Sequence, residues 1–166
     1  MVGKILQEIK ASLVNVDFHE ASYERNGYHL SVEARTGNSP EIAKFLKDRA
    51  FYIEDLFCVD YIDYVELVYF FNRYKELCRI KVTLKVDAAK PVAPTISDIY
   101  TMARWYEREI HEFFGVYFDG HPNLTYLFLH DEIDHYPLRK KAVPVPDEAK
   151  KLLNSYKPQE EEDAFF

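Results

Sequence analysis

The chain is poor in the residues that run redox or hydrolytic chemistry. Its only cysteines, Cys58 and Cys78, stand far apart with no Cys-x-x-Cys pair. Thiolates alone therefore ligate neither an iron–sulfur cluster nor a structural zinc here. The five glycines are scattered, and no Gly-x-Gly-x-x-Gly, phosphate-binding loop or Gly-x-Ser-x-Gly elbow occurs. Nucleotide binding and serine hydrolysis thus lack a motif. No apolar run approaches the ~18 residues of a membrane span. The opening Met1-Val2-Gly3-Lys4-Ile5-Leu6-Gln7-Glu8 is interrupted by charge and amide rather than forming a secretory core. The expectation is an intracellular chain without a membrane span, its two thiols reduced and buried. Basic residues are also in deficit, 21 Lys and Arg against 28 Asp and Glu for a net charge of −7, which repels a phosphate backbone and argues against nucleic acid.

Aromatic residues are abundant. Tyr and Phe number 13 and 12, and hydrophobic residues make up 48% of 166 positions, enough for one ordered domain with a real core. Rings with polar tips also suit partner surfaces.

Hydrophobic spacing predicts an α+β fold: a single domain with a mixed or antiparallel sheet, helices on one face, and an irregular C-terminal extension. Ile5, Leu6, Ile9 and Leu13 recur at helical spacing, and residues 14–21 read as a first strand. Tyr28, Leu30, Val32 and Ala34 alternate as a half-buried strand. Ser39 as cap and Pro40 at the first helical position introduce a second helix carrying Ile42, Phe45 and Leu46. Strict alternation at Val65, Leu67, Tyr69 and Phe71, and again at Ile80, Val82, Leu84 and Val86, predicts a hairpin through residues 72–76. The second sheet face is expected to be charged and wet. Pro91 and Pro94 interrupt regular structure, so residues 1–94 form the sheet portion and 95–145 a second portion of the same domain. Helix is expected over 98–114, in one or two pieces, stopped by Gly115. Residues 146–166 should hold a short helix over 147–155 and an acidic tail.

Reactive side chains concentrate in Trp105-Tyr106-Glu107-Arg108-Glu109-Ile110-His111-Glu112-Phe113-Phe114-Gly115. His111-Glu112 begins like the zinc-protease motif, but the second His, due four residues on, is replaced by Gly115. Glu107 and His111 share a helix face, and His121 can approach after the turn, so a three-ligand metal site, and with it a free-standing metalloenzyme, is the rival reading. A helix-surface hydrogen bond explains Glu107 and His111 equally well. Glu107 and Glu109 point away from each other and form no carboxylate pair for glycoside chemistry. Arg108 reaches Glu112 at i, i+4, which predicts an ion network. A charged helix flanked by Trp, Tyr and Phe, followed by a His-Pro turn and an Arg-Lys run, reads as a binding surface rather than a catalytic set.

Trp105-Tyr106-Glu107-Arg108-Glu109, Phe114-Gly115, Gly120-His121-Pro122 with Leu124, and Pro137-Leu138-Arg139-Lys140 together resemble the signature of the 30-kilodalton (C-type) subunit of respiratory complex I, the NADH:quinone oxidoreductase. Ser97-Asp98-Ile99-Tyr100 fits as well. The resemblance implies a cofactor-free structural subunit with no active site of its own. It would dock on the large hydrogenase-like subunit of the 49-kilodalton type and on neighbouring iron–sulfur subunits. It also implies a peripheral place on the cytoplasmic side of the membrane, with flavin and iron–sulfur clusters in the partners. The expected interface is Trp105, Glu107, Arg108, Glu109, Phe114, Gly115, His121, Pro122, Arg139 and Lys140. This sequence departs from the pattern at Glu112 and Asn123 (usually Asp), Thr125-Tyr126 (usually two Arg), His135-Tyr136 (usually Gly-His) and Lys141 (usually Asp). Related subunits of energy-converting hydrogenases and formate hydrogenlyases share the signature, so the motif leaves electron donor and acceptor open.

Overall fold

A computed structural model describes residues 2–35, 37–129 and 133–147. The expected last helix and acidic tail fall almost wholly outside them. The elements run α1 (Val2–Ser12), β1 (Asp17–Glu20), α2 (Tyr23–Asn26), β2 (Leu30–Ala34), α3 (Ser39–Asp48), β3 (Tyr52–Asp60), β4 (Tyr64–Asn72), β5 (Ile80–Asp87), β6 (Val92–Pro94), α4 (Ala103–Phe114) and β7 (Tyr117–Asp119).

Five strands form one sheet in the order β1-β2-β5-β4-β3. The β2–β5 pair is parallel and the other pairs antiparallel, so the sheet is mixed and the fold is α+β as expected. The predicted hairpin is β4–β5, with Val65 opposite Val86 and Phe71 opposite Ile80. Its alternating apolar side chains join Leu30 and Val32 of β2 in one buried layer. Onto that layer pack Ile9 of α1, Leu13 just beyond its end, and Ile42, Ala43 and Leu46 of α3. Each large side chain of this kind contributes about 1.5–3 kcal/mol by leaving water.

Four local expectations need correction. Asn38, not Ser39, precedes α3, and no side chain caps that helix; Ser39 lies within the first turn and is buried. The strand read over 14–21 shrinks to β1. Val92–Pro94, read as a break, is a short strand that pairs in parallel with β7. The outer sheet face carries Lys81, Lys85, Glu66 and Glu33, but also a half-exposed aromatic row in which Phe70 lies against both Tyr28 and Phe57. The Arg79 guanidinium sits 4.1 Å from the Phe70 ring centroid, so cationic stems shield apolar surface there.

Strand β3 was not anticipated from the sequence. Its buried side chains are Ile53, then Leu56, Cys58 and Asp60, and the phase slips because a bulge lies between Ile53 and Asp55. That extra residue erases the period-two signature. β3 is an edge strand whose neighbour is α4; the Tyr106 hydroxyl donates to the Glu54 carbonyl at 3.4 Å.

Candidate partner-docking surface

Helix α4 buries Ala103, Glu107, Ile110 and His111 on one face, at helical spacing. Met102, beside its first residue, then Trp105, Glu109 and Phe113 follow one another up the opposite face. Gly115 ends the helix with φ +75°, its N–H donating to the His111 carbonyl at 2.9 Å. A Cβ there would lie 2.5 Å from Tyr136 Cε2, so glycine is required both by the backbone and by the packed ring.

The carboxylates of α4 that lie away from water hold backbone. Glu107, fully buried, accepts from the Ile96 N–H at 2.8 Å and from the Thr95 hydroxyl, tying the turn before α4 to the helix. Burial raises its pKa to about 7; those two hydrogen bonds oppose the rise, and the charge of Asp98 adds to it. Glu112, also fully buried, accepts from the N–H groups of Leu127 (2.9 Å), Phe128 (2.9 Å) and Leu129. One carboxylate thus closes the backbone of a loop that has no regular structure. Arg108 completes the hold, donating to the Thr125 carbonyl at 2.9 Å, the Thr125 hydroxyl at 2.8 Å and the Tyr126 carbonyl at 3.2 Å. Its guanidinium lies 5.3 Å from the Trp105 ring centroid.

With its backbone bonded inward, the 125–129 loop turns Phe128 outward. Phe128 is 72% exposed and stacks on Phe113 with centroids 6.4 Å apart. Met102 (56% exposed) and Trp105 (48%) flank α4, and Leu138 (54%) bonds through its N–H to the Phe113 carbonyl. These side chains make an apolar surface on a rigid base.

Several expected interface residues do other work. Trp105, Glu109, Pro122 and Lys140 are exposed, and Phe114 and Gly115 are half-buried. Glu107 offers no surface to a partner, because a charge that far from water must be bonded within the fold. The His121 side chain, 1% exposed, is also internal. Arg139 is a clamp: Nε donates to Asp60 Oδ2 at 3.0 Å, and its other nitrogens donate to the Phe114 carbonyl at 3.2 Å and the Ala88 carbonyl at 2.9 Å. Lys140 donates its N–H to the same Asp60 oxygen and places its ammonium 5.7 Å from the Tyr61 ring centroid. The expected Arg108–Glu112 network is replaced by two separate grips on the loop. The Glu107–His111 bond gives way as well, since His111 Nδ1 faces the Val116 carbonyl at 2.9 Å. Burial lowers the His111 pKa, against that bond and the Glu112 charge.

The rival metal set does not assemble. Glu107 Oε2 and His121 Nε2 come within 3.8 Å, but His111 is turned to Val116, and among the described residues no group of three His, Cys, Asp or Glu side chains is arranged to hold a metal ion. Asp60, Glu112, Met102, Phe128 and Leu138 were not singled out as site residues. Glu112 and Leu138 lie in the motif segments and Leu127-Phe128-Leu129 is an apolar run in a turn-rich stretch; Asp60 and Met102 carried no local signal.

A mixed sheet bearing a helix with an aromatic outer face and a backbone-pinned apolar loop defines a binding-type α+β domain. The chain belongs to the family described as the respiratory-chain NADH dehydrogenase, 30 Kd subunit, whose pattern matches residues 32–148. The C-type subunit of NADH-quinone oxidoreductase from Roseiflexus sp. is 29% identical over 143 residues, covering 82% of this chain and 80% of that one. Its counterpart from Roseiflexus castenholzii is 31% identical over 118 residues, 67% and 68% of the two chains. The second C/D-type subunit of the same enzyme from Aquifex aeolicus is 36% identical over 144 residues, 84% of this chain, which spans only 23% of that longer protein. Among solved structures, a chain of the membrane-bound sulfane sulfur reductase, an archaeal respiratory membrane complex, has the same fold, with TM-score 0.73 and 23% identity over 99% of this chain and 98% of that one. The trypsin-resistant fragment of Nqo5 gives TM-score 0.61 at 25% identity, covering 75% of this chain and all of the fragment. Among the described residues no helix is long and apolar enough to cross a membrane.

Proposed function

We propose that the chain is a non-catalytic structural subunit in the hydrophilic arm of a complex I-type NADH:quinone oxidoreductase. It docks on the large hydrogenase-like subunit and its iron–sulfur neighbours, on the cytoplasmic side of the membrane. Flavin and iron–sulfur clusters belong to those partners, and this chain holds none. Its part in electron transfer to quinone, and in the ion translocation coupled to it, is to keep the large subunit in shape. The single observation that carries the reading is the outward surface of Met102, Trp105, Phe113 and Phe128, supported by a loop whose backbone is bonded to Arg108 and Glu112. Family membership over residues 32–148 supports it, and relatives that are NADH dehydrogenase subunits favour NADH over hydrogen or formate as donor.

The test is purification of the native membrane assembly through this chain, with its companions identified by mass. A flavin-bearing subunit, iron–sulfur subunits and a large subunit lacking the nickel-ligating cysteines are expected. A large subunit that retains four such cysteines would move the chain to a hydrogenase.

A further inference from the structure

Buried His121 sits where its ring can hold only one neutral form. Nδ1 accepts the Asn123 N–H at 3.0 Å, and Nε2 faces the Arg104 carbonyl at 3.2 Å. An N–H donor fixes Nδ1 as acceptor, so the single ring proton belongs on Nε2, where a carbonyl receives it. Pro122 has no N–H, which makes Asn123 the first backbone donor after the histidine. The chain of bonds continues outward. The Asn123 side-chain oxygen accepts the Thr125 N–H at 3.1 Å, and Thr125 is where Arg108 takes hold of the loop.

We propose that His121 is a proton-operated latch for the 123–125 turn that leads into the loop: a proton on Nδ1 places two donors face to face, expels the Asn123 N–H and breaks the Asn123–Thr125 link, while Arg108 and Glu112 keep their own holds on 125–129. The inference rests on the chain's own geometry and stands whether or not the docking reading holds. Among the described residues, the charged and titratable groups that act on the ring sit on α4. Arg104, Arg108 and His111 disfavour a positive charge on the ring, and the Glu107 carboxyl lies 3.8 Å from Nε2. Burial is the main influence and, with those charges, holds the His121 pKa below its ordinary 6.5 against the bond to the Arg104 carbonyl. The 123–125 turn is thus latched at neutral pH and loosened on acidification.

The full chain, labelled with 15N, tests this by following the imidazole nitrogens and the backbone amides from pH 7.5 downward. Expected are an Nε2–H tautomer at neutral pH, and a shift of the Asn123 amide with the midpoint of His121. Hydrogen exchange at Asn123 and Thr125 should accelerate roughly tenfold across the same step. An Nδ1–H tautomer at neutral pH, or an Asn123 amide indifferent to the titration of His121, would overturn the proposal. Glu107→Gln separates the two titrating groups. The Asn123 response persists in that variant if His121 is the latch; its disappearance would assign the effect to Glu107 and also overturn it. Asn123→Ala keeps the N–H but removes the link to Thr125, so exchange at Thr125 should become fast at every pH while the His121 tautomer is unchanged. A Thr125 amide still protected in that variant at neutral pH would break the relay.

Discussion

Arg139 and Asp60, remote in sequence, meet at 3.0 Å with both side chains withdrawn from water. The contact fastens the C-terminal extension to the end of edge strand β3, and Asp60 also accepts the N–H groups of Ile62 and Lys140. Removing one partner strands the other charge, so Arg139→Ala and Asp60→Ala should each cost about 3–5 kcal/mol in urea unfolding. A loss under ~1 kcal/mol would mean that the extension is held elsewhere. The Ile62 and Lys140 bonds and the Arg139 guanidinium keep the Asp60 carboxyl below its ordinary range against desolvation. Its contribution is present above the ordinary value of 3.8 and disappears as pH falls below it.

Glu107 works in the opposite sense. Folding raises its pKa from 4.5 to about 7, so the native state binds the proton more tightly than the unfolded chain. Its stabilising effect is full below about pH 4.5 and is lost as pH climbs through 7, a swing on the order of 3 kcal/mol. His111 and His121, whose pKa values are lowered, gain stability over part of the same range, so the wild-type curve alone is ambiguous. Subtracting the Glu107→Gln profile isolates the carboxyl. Parallel profiles for the two proteins between pH 4.5 and 7 would contradict the assignment.

Glu112→Gln replaces one acceptor oxygen with a donor amide facing backbone N–H groups. The expected cost is about 2–3 kcal/mol, the range of hydrogen bonds to a charged group. Hydrogen exchange should rise at Leu127, Phe128 and Leu129 well beyond any rise in β4 and β5. Uniform acceleration across the chain would instead report global destabilisation.

Gly115→Ala combines a left-handed backbone with a collision against Tyr136, and should lower stability by about 2–4 kcal/mol. Adding Tyr136→Ala should relieve the collision but not the backbone strain. Additive losses in the double variant would show that the ring does not press on this position.

The fold was legible where one physical rule acted alone. Strict alternation made β4 and β5 visible, and helical spacing with a glycine stop made α4 visible. Legibility failed where two rules overlapped or a bonding partner was remote. The bulge in β3 broke the alternation, and the parallel β2–β5 pairing joins segments with no local sign of each other. The signature residues themselves were legible, but not their direction. Arg139 reads as an interface cation until Asp60 is placed beside it, and Glu107 reads as a surface acid until the turn at 95–96 folds onto it. Glu107 and Arg139 bond within the fold, and Phe128, on a loop with little local signal, stands exposed beside α4.

Docking of the chain into its assembly through this platform is the central claim. The direct measurement is co-purification of the large subunit with tagged wild-type chain and with Trp105→Ala/Phe128→Ala, alongside the unfolding free energy of each. Phe128 is mostly exposed and Trp105 about half so, and truncation should change folding stability by less than ~1 kcal/mol each. Loss of aromatic anchors from an interface costs roughly 2 kcal/mol or more each. A stable double variant that no longer retains the large subunit is the predicted result. Full retention by a folded double variant would contradict it.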